Sequence, residues 1–361
     1  MNSGIFTNRQ NKLKAVIAER GLDGILISRL SNVRYICGFT GSAGSCIITP
    51  DTNYFITDGR YKEQSKKEIN GFERYIDYGT HAEIAQKNNL IHNGLKIAFE
   101  SEILSYNSYN QLTVLFPKVK WESTKMILEN LAAVKDTSEI KALRTAIEIT
   151  DKVFDEVLHL IKIGVSEKDV ALEIANRYWK YSEGEAFSTI VASGPNSALP
   201  HAQPGERTFK KGDFVVIDTG AKYGGYHADM TRTIIMGKPT EKHSKIYELV
   251  KKSQQAGIDA ANAGISCKTV DDATRNIITD AGYGDKYIHS TGHGIGLEIH
   301  TYPRLSQQSE DILKENNVVT IEPGVYLPGW GGVRIEDDIL VKSDGAEVLN
   351  ITTKDLIIID K

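Results

Sequence analysis

The chain has 361 residues, 25% of them charged and 40% apolar, with a net charge of −4. That length allows two domains, and the mildly acidic balance gives no electrostatic reason to expect nucleic acid or an anionic membrane as partner. No apolar run approaches the roughly 20 residues of a bilayer-spanning helix, and the first residues, MNSGIFTNRQNKLKAV, lack the apolar core of a secretory signal.

The first part alternates helix and strand signals. Residues 9–20 carry an amphipathic helix pattern closed by Gly21. GILIS (24–28) is a short buried strand. SCIITP (45–50) and NYFITD (53–58) form a hairpin around Pro50 and Asp51, since turn residues separate two β-rich runs. Residues 60–69 are helical, and KIAFE (96–100) is a further strand. These elements make a first α/β domain, placed at residues 1–132. Cys37, Cys46 and Cys267 have no CxxC spacing and fit small core residues in a reducing cytosol, so a cytoplasmic location is expected.

A second domain, residues 133–361, opens where Asp136 precedes Glu139 by three positions, a helix-start signature. Ile140, Leu143, Ile147, Phe154, Val157 and Ile161 then recur at helical spacing, and Gly164 ends that helix. Ser166 opens another, with Val170, Ile174, Tyr178 and Tyr181 on one face. Strands follow at AFSTIVASG (186–194), VVIDTG (215–220) and HADMTRTIIM (227–236). The order then repeats. Helices at 243–263 and 269–281 precede strands at NVVTIEPGVY (317–326) and GVRIEDDILV (332–341). The fold class expected is α+β, with a pseudo-twofold helix-helix-strands repeat following the smaller α/β domain.

Each half places two acids inside apolar strands: Asp218 and Asp229 in the first, Glu322 and Glu336 in the second. A buried carboxylate is costly unless it is paired or binds a metal. One such acid fits an edge strand or a salt bridge, but four at equivalent places of two similar halves point to a shared task. Four carboxylates balance two divalent cations. Oxygen donors with one imidazole suit Mn²⁺ and also accept Co²⁺, Fe²⁺ or Zn²⁺. Two metals side by side activate water and stabilise a tetrahedral intermediate. Imidazoles are at hand in IHSTGHGIGLEIHTYP (288–303), with His289, His293 and His300 among glycines, and in GPNSALPHAQPG (194–205), with His201. A lone histidine is more often a satisfied core residue, but three within twelve residues argue for a site.

The set DTGAKYGGYHADMTRT, STGHGIGLEIH, TIEPGVY and GVRIEDD resembles the M24 "pita-bread" metallopeptidases, in the branch of aminopeptidase P and prolidase. The resemblance covers roughly residues 138–361. YICGFTGSAGSCII (35–48) and TDGRY (57–61) are similar to the creatinase-type N-terminal domain of that branch. The resemblance implies metal ligands Asp218, Asp229, His293, Glu322 and Glu336, with Asp229 and Glu336 bridging both ions. It gives His201, His300 and Glu322 catalytic roles, and His289, Tyr326 and Arg334 contacts to substrate. One departure is Thr301, where the branch usually has Glu after the histidine. Asp337 and Asp338 remain open between solvated strand-end charges and support of a metal ligand.

The activity implied is hydrolysis, by a metal-bridging hydroxide, of the bond between an N-terminal residue and a penultimate proline. Two Mn²⁺ ions serve as cofactor, short proline-containing peptides as substrates, and a homodimer as the assembly. The first-domain motifs favour an Xaa-Pro aminopeptidase, with the Xaa-Pro dipeptidase, prolidase, as the alternative. A non-catalytic peptide-binding role is the reading from another class, and the five intact ligands argue against it.

Overall fold

The computed structural model describes residues 3–360, which divide into two units, Met1–Ala132 and Ala133–Lys361. In the first, a mixed six-stranded sheet runs Glu73–Ile76, Asn53–Thr57, Ser45–Ile48, Gly24–Ile27, Lys96–Glu100, Lys120–Thr124. The expected hairpin pairs antiparallel, with Ile48 opposite Asn53. The first helix spans Ser3–Glu19, and Gly21 beyond it takes a left-handed conformation at φ +61°, as helix stops do. Cys37 and Cys46 are both buried, their sulfurs 3.9 Å apart.

The second unit begins where the Asp136 side chain caps the helix Thr137–Leu158, with Glu139 returning the bond to the Asp136 N–H. A second capping box at Ser166 and Asp169 starts Glu167–Tyr181. This pair packs on a four-stranded sheet ordered Ile357–Ile359, Met230–Met236, Phe214–Thr219, Ile190–Ser193. The second pair, Glu241–Ala260 and Cys267–Asp280, has its counterpart in a five-stranded sheet ordered Thr301–Leu305, Gly292–Gly294, Val318–Ile321, Asp337–Lys342, Gly345–Val348. The helix-helix-strands order is thus repeated in space. Among the described residues no helix is long and apolar enough to cross a membrane.

The strands depart from expectation in one instructive way. HADMTRTIIM, NVVTIEPGVY and GVRIEDDILV are expected to run unbroken. Each is interrupted, and an acid sits at each interruption. Asp229 lies between Tyr226–His227 and Met230–Met236. Glu322 lies between Val318–Ile321 and Gly324–Leu327, and Glu336 between Gly331–Arg334 and Asp337–Lys342. Pro323 has no N–H for a ladder, which explains one of the breaks directly. Apolar periodicity carries no signal for the other two. AFSTIVASG also enters its strand only at Ile190, and its end turns into the short 3₁₀ helix Gly194–Ala198.

Candidate active site

A cavity of about 570 Å³ opens over these interruptions, lined by Asp218, Asp229, His293, Glu322, Glu336 and further side chains. Ligand atoms of Asp229, His293 and Glu336 lie within 4.8 Å of one another. The Nε2 of His293 stands 3.7 Å from Asp229 Oδ2 and 3.5 Å from Glu322 Oε1. Its Nδ1 faces the Gly294 carbonyl at 3.1 Å. A carbonyl only accepts, so Nδ1 carries the proton, and the lone pair of Nε2 is aimed at carboxylate oxygens. Lone pairs and anions repel at such distances unless a cation lies among them.

The electrostatics agree. Burial, with the charges of Glu336 and Asp218 added, pushes Asp229 well above the ordinary carboxylate range. Burial and Glu322 do the same for Glu336. Burial raises Glu322 to about 8, against the pull of Arg334. His293 falls to about 3, through burial and the neighbouring His300. Oδ1 of Asp218 and Oδ1 of Asp229 are buried and find no hydrogen-bond partner among the described residues. Orphaned acceptors, raised acids and an imidazole in its ligating tautomer make a donor set that fits divalent cations.

Around the acids the structure builds a polar chain. Tyr326 donates to His289 Nε2 at 2.8 Å, because His289 Nδ1 gives its proton to the Ser290 carbonyl. Arg334 Nη1 donates to the Tyr326 hydroxyl at 2.9 Å and Nη2 to Asp218 Oδ2 at 2.5 Å. Burial and the Arg334 charge hold His289 near 3, hence neutral. His201, His289, His300 and Arg334 all line the cavity. The His300 ring lies edge-on to His293, centroids 4.3 Å apart. Tyr326 is placed differently: it is buried behind His289 and Arg334, outside the cavity wall. Its hydroxyl supports the two residues in front of it, His289 and Arg334.

Thr231 and Arg304 escaped the sequence reading. Thr231 donates its hydroxyl to Glu336 Oε2 at 2.6 Å. Arg304 lines the cavity, and its guanidinium has no carboxylate partner among the described residues. An arginine one turn of sequence beyond the last histidine of a His-rich segment was the signal available for it. Asp337 and Asp338 are fully buried, which removes the reading of solvated strand-end charges. Asp338 Oδ2 accepts the Asp229 N–H. Thr301 lines the cavity with a hydroxyl in place of a carboxylate.

This combination defines a metallopeptidase-type centre: a dense acid–imidazole cluster at the floor of an open, polar cavity. Residues 141–343 match the family model of metallopeptidase family M24, and residues 9–134 that of the creatinase/prolidase N-terminal domain. The chain belongs to metallopeptidase family M24 and has the pita-bread fold with a creatinase-type first domain. It is 36% identical over 355 residues to the Xaa-Pro dipeptidase of Pyrococcus furiosus, covering 97% of this chain and 99% of that one. It superposes on the Xaa-Pro dipeptidase from Bacillus anthracis with a TM-score of 0.93 at 41% identity, over 98% of this chain and 99% of that chain. The X-Pro aminopeptidase from Thermotoga maritima gives 0.87 at 36% identity, over 95% and 99%.

Proposed function

We propose that the chain is a dinuclear-metal Xaa-Pro peptidase that prefers dipeptides. The observation that carries the peptidase reading is the cluster of Asp229, His293 and Glu336 at the cavity floor. Asp218, Asp229, His293, Glu322 and Glu336 would hold two divalent ions, Mn²⁺ by donor chemistry. Ions there supply Lewis-acid polarisation of a carbonyl and acidify water.

The chain's own residues do the rest. Glu322 takes a proton and returns it to the leaving group. His201 and His300 reach from the cavity wall to stabilise the oxyanion or the departing proline nitrogen. His289, held neutral by burial and Arg334 and in one tautomer by Ser290 and Tyr326, orients the peptide. Arg334 keeps Asp218 aimed at the site.

Dipeptide preference is supported by the several relatives named Xaa-Pro dipeptidase or prolidase, and by Arg304, whose guanidinium forms no close ion pair among the described residues and suits a C-terminal carboxylate. The first-domain motifs that favoured an aminopeptidase do not discriminate, because whole-length relatives of both kinds share the architecture. The aminopeptidase stays as the second reading. A homodimer and a cytoplasmic setting complete the proposal, and light scattering of the purified chain tests the former.

The deciding experiment is hydrolysis of Gly-Pro and Arg-Pro-Pro by chelator-stripped protein, with and without Mn²⁺. Metal-dependent cleavage confined to the dipeptide supports the proposal. Preferential release of arginine from the tripeptide makes the chain an aminopeptidase. No cleavage of either with Mn²⁺, Co²⁺ or Zn²⁺ rejects both.

A further inference from the structure

We propose that Glu167 is a positioning residue for His201: its carboxylate gathers both ends of the loop that carries this histidine to the cavity. The proposal rests on the Xaa-Pro peptidase reading for the role of His201 and on the geometry for everything else.

Glu167 is the first residue of the helix Glu167–Tyr181 and is fully buried. A buried carboxylate normally sits against a cation, but none of the ion pairs involves Glu167 among the described residues. Arg207 is committed to Asp213, at 2.7 and 3.0 Å; its charge acts on Glu167 from a distance, and the hydrogen-bonded link between them runs through the hydroxyl of Ser193. Glu167 instead accepts from the Ser193 N–H and hydroxyl, both at 2.7 Å, from the Asn196 amide at 3.1 Å, and from the Gly205 N–H at 3.2 Å. Ser193 and Asn196 are where the segment leaves its strand, and Gly205 is where it returns. One anion thus closes a twelve-residue excursion at its base. Charge-assisted bonds of this kind are about twice as strong as neutral ones.

His201 depends on the anchoring of its loop because its own side chain adds no anchor. Its side chain is exposed at the cavity, and it makes no hydrogen bond of its own among the described residues. The rest of the loop is tied to the opposite wall. Gly332 donates to Ser197 Oγ at 2.8 Å, and Arg334 to the Pro200 carbonyl at 3.3 Å. A Cβ at Gly332 would meet the Ser197 carbonyl oxygen at 2.1 Å, so no larger residue fits that approach. Glu167 secures one side of the His201 loop, and the hairpin bearing Arg334 secures the other.

The test is a double-mutant cycle on Glu167→Gln and His201→Ala, read on an Xaa-Pro dipeptide. Gln keeps shape but removes the charge and replaces one of the two acceptor oxygens, both of which face N–H or O–H donors, with an amide donor. Glu167→Gln is expected to lower kcat about tenfold with KM changed less than about threefold, and to add less than about twofold in the His201→Ala background, since coupled residues are non-additive. Asn196→Ala, a milder cut of the same network, gives a smaller loss with the same non-additivity and serves if Glu167→Gln folds poorly. Lys168→Ala, on the exposed neighbouring pair with Glu206, leaves kcat unchanged. The His201 imidazole resonances of Zn²⁺-loaded protein, assigned with His201→Ala, shift in Glu167→Gln. Unchanged resonances, or losses that multiply across the cycle, overturn the proposal. If the wild type cleaves no Xaa-Pro peptide, the functional reading fails, and the resonance shift alone still decides the link between Glu167 and His201.

Discussion

The backbone N–H of Asp229 donates to Oδ2 of Asp338 at 3.0 Å, so a second, fully buried carboxylate stands directly behind one that faces the cavity. Asp338 is itself held by its own N–H, which donates to Asn350 Oδ1 at 2.8 Å. The bond fixes the interruption that lets the Asp229 carboxylate leave the plane of its strand. Asp229→Ala removes a donor central to the cluster while leaving the backbone bond in place. It is expected to abolish Mn²⁺ binding in calorimetry and hydrolysis together, with an unchanged far-UV circular dichroism spectrum. Full activity in this variant would remove the site assignment.

Asp338 acts one layer further back. Partners that orient a ligand typically contribute about 10–100-fold to metal affinity. Asp338→Ala should therefore weaken Mn²⁺ by that range, whereas Asp338→Asn, which retains an acceptor oxygen, should lose less. Equal affinities for the two variants would show that the bond to Asp229 has no part in holding the cation.

Metal-free protein should lose stability as pH rises. Glu322 has a folded pKa raised to about 8, above its unfolded value of about 4.3. Its contribution is fully present below the unfolded value and is lost as pH climbs through the folded one. Above roughly pH 6.5 the histidines of the unfolded chain are already neutral, so His289 and His293 add little slope there. The melting temperature of chelated wild type is expected to fall between pH 6.5 and 8.5 relative to Glu322→Gln, which has no proton to lose. Mn²⁺, which replaces protons at deprotonated ligands, should reverse the trend in the wild type. Parallel melting curves for the two chelated proteins would contradict the cause assigned to the raised pKa.

The apolar pattern made the architecture legible, because helical and strand periods survive in any buried element. Capping residues such as Asp136 and Ser166 marked helix starts for the same local reason. The acids were legible as violations of that pattern. What escaped was long-range. The breaks at Asp229 and Glu336 depend on partners about a hundred residues away, Asp338 and Thr231, and no local spacing encodes them. Glu167 and Arg304 look like ordinary surface charges in sequence. Only the folded chain shows one buried under a loop and the other facing a cavity. Tyr326 belonged to a matched motif, but its bonds to His289 and Arg334 join residues far apart in sequence and appear only in the folded chain.

Arg232 and Asp337 form an ion pair at 2.7 Å between the four-stranded and the five-stranded sheet of the second unit, both side chains at most 2% exposed. Lys354 joins Asp337 at 3.0 Å, and the Gln254 amide donates to Asp337 Oδ2 at 2.9 Å. Burial would raise the Asp337 pKa, but Arg232 and Lys354 outweigh it and hold it below the ordinary value. Breaking a buried pair strands its partner charge and typically costs about 3–5 kcal/mol. Asp337→Asn is expected to lower stability in urea by that amount. A loss below about 1 kcal/mol would mean that Lys354 and the carbonyls around Arg232 absorb the change.

Arg304 offers the sharpest test of peptide length. It lines the cavity together with His300, its charge helps keep both His293 and His300 neutral and pulls on Glu322 from a distance, and its guanidinium forms no close ion pair among the described residues. A free dipeptide brings a carboxylate two residues from its ammonium, and the acid cluster already draws the ammonium end. The carboxylate is then left to the cation. A hydrogen bond to a charged group contributes about 1.5–3 kcal/mol, so wild type should favour Ala-Pro over its C-terminal amide by about 10–100-fold in kcat/KM. Arg304→Ala should cleave the two alike, by losing the acid and keeping the amide. If Arg304→Ala still preferred the acid, the carboxylate would be read elsewhere and the dipeptide preference would need another residue; if wild type itself cleaved acid and amide equally, the cavity would be open to longer peptides and the aminopeptidase reading would take precedence.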